Sequence, residues 1–199
     1  MNSHMRDISI WKGQFMHAIC LGILLVFSWY GWHVLGRPFP ALFWFAVSVP
    51  VMHQVFVWFA WRLELRKSFI TKTVGFQLFL VVFFWLFLLR FISLALLGWV
   101  DAGSLEMRVE LKFFLTLICL VPGLYAMYSV KRYFGLKRAA GADHFETRYQ
   151  TMAFVKKGIF RYTNNGMYIY AFLLFWAIAI YFSSIAALLV ALFLSLIHI

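Results

Sequence analysis

The chain alternates long apolar runs with short polar segments, and this pattern predicts a helical membrane protein. Four runs are nearly uncharged and have the roughly 20 apolar residues that a helix needs to cross a bilayer. They occupy residues 14–35, 41–61, 74–97 and 113–130. A last apolar run, 167–199, is too long for one ordinary crossing, and Ser183 and Ser184 divide it. We therefore predict an all-α fold: a polytopic membrane helical bundle with four spans and a C-terminal helical hairpin. One long tilted helix is the alternative to the hairpin.

The same pattern predicts one membrane domain over 1–199. Within it, 131–167 is expected to form a polar loop with an interfacial helix, and 168–199 to form the hairpin. The chain ends inside an apolar run, so the hairpin is expected to be truncated. In the loop, Asp143 and Glu146 resemble a capped helix start, and three apolar or aromatic positions follow at helical spacing. These positions are Phe145, Tyr149 and Met152.

Composition and charge limit the class of protein to which this chain can belong. The chain is 64% hydrophobic and 21% aromatic, which excludes an ordinary water-soluble protein. The net charge of +11 is concentrated in the amino-terminal segment, the second loop and the loop 131–167. By the positive-inside rule these parts are expected to be cytoplasmic, and no nucleic-acid partner is expected. The two cysteines, Cys20 and Cys119, lie in apolar runs, and no pattern of metal ligands is present.

One sequence motif indicates a catalytic function. Residues 158–168 read Gly-Ile-Phe-Arg-Tyr-Thr-Asn-Asn-Gly-Met-Tyr and precede the apolar hairpin. This segment resembles the signature of the integral-membrane methyltransferases, which include phospholipid and isoprenylcysteine carboxyl methyltransferases. The positions that match are Gly158, Arg161, Tyr162, Asn165 and Tyr168. Asn164 stands where the family usually has Arg, and Gly166 where it usually has Pro.

The resemblance implies an enzyme that uses S-adenosylmethionine and methylates a membrane lipid. The amine of phosphatidylethanolamine or of a methylated derivative is the expected acceptor, and a prenylated cysteine carboxylate is the alternative. A small transporter or a non-catalytic fragment is the competing hypothesis from another class. No metal is implied, and the oligomeric state is left open.

Site residues follow from this chemistry. Cofactor binding is assigned to Gly158, Arg161, Tyr162, Asn164, Asn165 and Tyr168. A guanidinium binds a carboxylate through two hydrogen bonds, amides serve the polar ends of the cofactor, and ring faces attract a sulfonium. Catalysis is assigned to His144, Glu146 and Tyr168. His144 or Glu146 is expected to accept the proton that an ammonium must lose before it attacks, and Tyr168 to place its ring face near the sulfonium or a methylated ammonium. Lipid phosphate is assigned to Arg148, Lys156 and Lys157.

Several of these residues have a structural alternative. Arg161, Lys156 and Lys157 suit an anionic membrane surface, the tyrosines suit an interfacial belt, and the Asn-Asn-Gly sequence suits a turn. Within the spans, an Arg90 left unpaired would be costly and would mark a functional cavity, but the favoured expectation is that Arg90 extends toward the outer face near Asp101. His53 and Gln54 are expected to form hydrogen bonds between helices. In the transporter hypothesis, Arg90, His53 and Gln54 line a path.

Overall fold

A computed structural model describes residues 11, 13–163 and 165–197, and its regular elements are all helical. In this part of the chain four helices are long and apolar enough to cross a membrane. In chain order the first elements are α1 (Gln14–Val34), α2 (Pro40–Lys67), the short α3 (Phe69–Thr73), α4 (Gly75–Val100) and α5 (Val109–Ser129). A π-helical turn, Val130–Phe134, extends α5. The four predicted spans are confirmed.

Helix α2 is longer than predicted, because the polar residues after Trp61 continue the helix to Lys67 instead of ending it. A buried carboxylate explains the sharp turn that follows. The backbone N–H and the hydroxyl of Thr71 donate to the two carboxylate oxygens of Glu64 at 2.9 Å and 2.6 Å. These hydrogen bonds hold α3 against the end of α2, and Ser68 between them adopts a left-handed backbone with φ of 50°.

The polar loop contains short helical pieces. They are α6 (Leu136–Ala139), a 3-10 turn (Ala142–His144), α7 (Thr147–Gln150) and a second 3-10 turn (Gly158–Arg161). In place of one helix running from Asp143 through Met152, the chain leaves helical geometry after Gln150. The guanidinium of Arg138 donates to the carbonyl oxygens of Met152 and Ala153, both at 3.2 Å, and so holds this extended stretch.

The C-terminal run forms the predicted hairpin, and one long helix is excluded. The run comprises α8 (Gly166–Tyr170), α9 (Leu173–Tyr181) and α10 (Ile185–Leu196), with a turn at 182–184. Helix α9 packs mainly against α5, and α10 packs against α1, α2 and α4. The hairpin also approaches α5 and α4 closely. A Cβ on Gly123 of α5 would lie 2.7 Å from Leu174, and one on Gly98 of α4 would lie 2.8 Å from Phe182.

A buried carboxylate holds the hairpin turn. Asp101 follows α4 directly, and its Oδ2 accepts hydrogen bonds from the Ser184 hydroxyl at 2.5 Å, the Ala186 N–H at 3.1 Å and the Ser104 hydroxyl at 2.8 Å. The Ser184 hydroxyl also accepts the N–H of Ala187 at 3.0 Å. The first N–H groups of α10 are thereby paired, as an apolar environment requires.

Asp101→Ala is expected to destabilise the chain by about 3 kcal/mol, because several buried hydrogen bonds to one charged group are lost together. The measurement is thermal or denaturant unfolding of the detergent-purified chain. Asp101→Asn keeps one acceptor oxygen and should lose less. Glu106→Ala, at an exposed acid in the same loop, is the control and should change stability little. Equal effects of Asp101→Ala and Glu106→Ala would contradict the assignment.

Candidate functional site

A cavity of about 260 Å³ lies inside the bundle, between helices α2 and α4 on one side and α5, α6, α8 and α9 on the other. Its wall is mostly aromatic and aliphatic. The aromatic residues in the wall are Trp61, Phe83, Phe84, Phe87, Phe91, Tyr168, Phe172 and Phe175. Such a wall, with few polar groups, is typical of a site for a small molecule or a lipid chain.

Three polar residues from the spans line this cavity: His53 and Gln54 on α2, and Arg90 on α4. The prediction for Arg90 is wrong. Only 4% of its surface is exposed, and it lines the cavity instead of extending toward Asp101 at the outer end of α4. The His53 ring packs edge-on against Phe83 of α4, with ring centroids 4.7 Å apart, so it has an aromatic contact with the neighbouring helix.

The polar loop covers one end of the cavity. The ring of His144 stacks on the ring of Trp61, with centroids 4.4 Å apart and an interplanar angle of 11°. Gly141 allows this approach, because its φ is +82° and an added Cβ would lie 2.4 Å from the indole. Nδ1 of His144 lies 3.3 Å from Oδ1 of Asp143. The role of Trp61 is not predictable from the sequence, since nothing in the order of residues places a loop histidine on it.

Tyr168 is the one predicted site residue in the described wall of this cavity. It lies in α8, ahead of the hairpin helices, and 52% of its surface is exposed, which places it at the edge of the cavity. Burial and the nearby carboxylate of Asp143 raise the pKa of Tyr168 above its ordinary value. A tyrosine phenol is already protonated at neutral pH at its ordinary pKa, so a raised pKa leaves it a hydrogen-bond donor there.

Two other predicted residues are paired with each other. Nε of Arg148 lies 2.6 Å from Oε2 of Glu146, and the Arg148 guanidinium also lies over the ring of Tyr149. The predicted proton acceptor and the predicted phosphate ligand thus form one ion pair at the protein surface. Neither lines the cavity.

Gly158 has a packing role that the motif does not reveal. Its φ is +60°, and an added Cβ would lie 2.5 Å from the Ser129 hydroxyl oxygen and 2.8 Å from the ring of Tyr133. The next residue, Ile159, donates its N–H to the same hydroxyl at 3.1 Å. The motif is therefore held against the end of α5, and the space that a Cβ at Gly158 would need is filled by protein atoms.

The remaining cofactor candidates lie at the surface. Arg161 and Asn165 are exposed, and 73% of Tyr162 is exposed. Asn165 precedes α8, and its backbone carbonyl oxygen accepts the N–H of Ile169 at 3.0 Å, as the residue before a helix does. Among the described residues, none forms a hydrogen bond or ion pair with the Arg161 side chain, so its guanidinium is available to an anion. Asn164 lies outside the described residues.

Lys156 and Lys157 are exposed on an open groove of about 440 Å³. Arg132 and the ring of Tyr133 complete its wall, together with 153–155. This groove is separate from the aromatic cavity, because the two share no lining residue. The structure therefore divides the predicted residues among a cavity edge, a surface ion pair and a basic groove.

A family model described as Phospholipid methyltransferase matches residues 111–199. No curated protein and no solved structure matches the chain. The match confirms the resemblance that the motif 158–168 indicated. It includes α5, the polar loop and the hairpin, and hence every predicted site residue. The cavity lies between this matched part and helices α2 and α4.

Gly158→Ala is expected to lower the free energy of unfolding by about 1–3 kcal/mol, because the new methyl group overlaps Ser129. Unfolding is measured on the purified chain without any cofactor. Gly135→Ala is the matched control, since Gly135 also has a positive φ of 94° but nothing within 4 Å of an added Cβ. If the two variants lose the same stability, the close packing at Gly158 does not hold the motif.

Proposed function

We propose that this chain transfers a methyl group from S-adenosylmethionine to a membrane lipid, with the amine of phosphatidylethanolamine or of a methylated derivative as acceptor. The observation that carries the proposal is the aromatic cavity between the matched residues 111–199 and helices α2 and α4, with Tyr168 of the motif at its edge. A lipid chain fits such a wall, and the polar loop supplies the groups that methyl transfer needs.

The residues of the motif fit the cofactor in their chemistry. The exposed guanidinium of Arg161 suits its carboxylate, and the amide of Asn165 suits a hydroxyl or amino group. Gly158 contributes by fixing the segment on Ser129. When bound, the cofactor would supply an electrophilic methyl carbon on its sulfonium, from which a neutral amine would displace the thioether S-adenosylhomocysteine as the carbon–nitrogen bond forms. Tyr162 and Asn164 remain proposed cofactor residues on the strength of the motif.

The protein's remaining task is to align the acceptor and keep water out. The aromatic wall excludes water, and ring faces attract a methylated ammonium. His144, stacked on Trp61 beside Asp143, is the better placed of the proposed proton acceptors. Glu146 is already paired with Arg148, and Tyr168 is better suited to position the acceptor through its hydroxyl. Lys156 and Lys157 line the separate basic groove, where they suit the phosphates of lipids at the membrane surface.

Transport is the second candidate, because the structure brings His53, Gln54 and Arg90 to one cavity, as that hypothesis requires. The family match favours the enzyme. Cofactor-independent solute flux into proteoliposomes would favour transport instead.

Arg161→Ala is expected to weaken binding of S-adenosylmethionine by about tenfold or more, since a charge-assisted hydrogen-bond pair is lost. Calorimetry on the detergent-purified chain measures the affinity, and labelled cofactor with a lipid extract measures transfer. Label in choline-type headgroups indicates the amine acceptor, and a base-labile methyl ester indicates a carboxylate acceptor.

Two variants sharpen this experiment. Arg161→Lys keeps the charge but not the two-pronged geometry and should bind with intermediate affinity. Arg108→Ala, at an exposed arginine in the loop before α5, should bind as the unmodified chain does. A folded chain that neither binds the cofactor nor transfers its methyl group would overturn the proposal.

We also propose that the basic loops 62–74 and 131–167 face the cytoplasm, where the cofactor is available. Their excess of Lys and Arg over the loop 101–108 supports this orientation. In sealed cells, a membrane-impermeant thiol reagent should label Thr151→Cys only after permeabilisation, and Glu106→Cys before it. Both positions are exposed, so they form a matched pair. The reverse labelling order would place the loops outside.

A further inference from the structure

Arg90 places a charged side chain within a membrane-spanning helix, where burial of a charge is energetically unfavourable. It lies in α4 roughly 22 Å from the helix start at Gly75 and roughly 15 Å from its end at Val100, at 1.5 Å per residue. Only 4% of its surface is exposed. A charged side chain within a membrane span is costly, and such residues usually face a cavity or pathway that uses them. Arg90 does face one, the aromatic cavity.

The cavity wall contains a positive charge, that of Arg90, with no negative charge from the other described lining residues. Besides Arg90, the lining includes His53, Gln54 and Tyr168, and no Asp or Glu among the residues that the structure describes. The rest of the wall is aromatic or aliphatic. A cationic group would therefore meet repulsion near Arg90, whereas an anionic oxygen group would gain charge-assisted hydrogen bonds in a surrounding of low dielectric constant.

The wall also restricts the rest of the ligand. The phenylalanines beside Arg90 on α4, Phe87 and Phe91, and those facing it from the hairpin, Phe172 and Phe175, offer contact to an alkyl or prenyl chain. A small hydrophilic anion would leave this apolar surface unused. The ligand that fits both features is an amphiphile with an anionic head.

We propose that Arg90 binds the anionic oxygen group of the lipid acceptor and so selects an acidic or zwitterionic amphiphile over a purely cationic one. This inference rests on the proposed function only in taking that amphiphile as the methyl acceptor. The anionic group is the phosphate if the acceptor is a phospholipid and the carboxylate if the acceptor is a lipidated acid. Arg90 is thus a specificity-determining residue remote from the motif.

The test measures binding without cofactor, on the full chain in neutral detergent. The probes are hexadecyl phosphate, hexadecanoate and hexadecylamine, which share one chain and differ in the head, and native mass spectrometry gives the affinities. The anionic probes should bind about tenfold or more tightly than the amine. The better of the two anions identifies the source. Equal or tighter binding of the amine would overturn the proposal.

Matched variants assign the preference to Arg90. Arg90→Gln should abolish it, Arg90→Lys should keep part of it, and Arg108→Gln at an exposed arginine should leave it unchanged. Because the chain is strongly basic, the double variant Lys156→Gln, Lys157→Gln measures the contribution of the surface groove. A preference that disappears in this double variant and persists in Arg90→Gln would place the anion in the groove and overturn the proposal.

A labelling experiment on the unmodified chain keeps the test valid if Arg90→Gln does not fold. A fatty acid with a photoreactive group next to its carboxylate should crosslink to 83–91 of α4 or 53–61 of α2, and adducts confined to 153–157 would refute the proposal. Methyl transfer is assayed separately. Anion binding through Arg90 without transfer would leave this inference standing and refute the enzyme, and transfer with unaltered binding in Arg90→Gln would do the reverse.

Discussion

The Asp101 carboxylate holds the end of α4 to the start of α10, and the position of the hairpin depends on this interaction. A turn between apolar helices leaves backbone N–H groups that lipid cannot pair. Asp101 and Ser184 accept those at the start of α10, and Gly103 and Leu105 donate their N–H groups to carbonyl oxygens of Phe182 and Ser183. The hairpin is thereby fixed at one end, so that residues 167–175 form a wall of the cavity at a defined place.

Small residues determine how closely the hairpin approaches the spans. Gly123 of α5 faces Leu174, Gly98 of α4 faces Phe182, and Gly31 of α1 faces Leu189, each at a distance that an added Cβ would violate. Packing through small residues is the usual way in which helices associate in a membrane, where burial of apolar surface gives little drive. The Pro122-Gly123 pair lies within α5, and Gly123 is the place where Leu174 of α9 packs closely on that helix.

The sequence predicts the fold well, because apolar length and the position of charges decide which segments span a bilayer. The four spans and the hairpin follow from these features alone. The end of α2 does not follow from these features, since the charged residues after Trp61 predict the end of a helix. These residues include Arg62, Glu64 and Lys67. Their helix continues because Glu64 meets Thr71, a contact that forms only after the chain has turned. The local pattern around Asp143 fails for the same reason, since Phe145 packs between Phe76 and Phe79 of α4 instead of continuing a helix.

The site is harder to predict, because the motif indicates a type of reaction but not which of its residues are buried and which are exposed. Gly158, Arg161 and Tyr168 lie within a few residues of one another, yet one packs against Ser129, one faces outward and one edges the cavity. Arg90 is distant from the motif in sequence and reaches the same cavity only through the packing of α4 against α9. The preference for an anionic head group that we propose for this cavity depends on the buried Arg90 and on a wall whose described residues include no Asp or Glu, and the motif at 158–168 does not encode it. The family match indicates phospholipid methyltransferase chemistry, and the proposed role of Arg90 adds a basis for the choice of lipid at a position that the motif does not include.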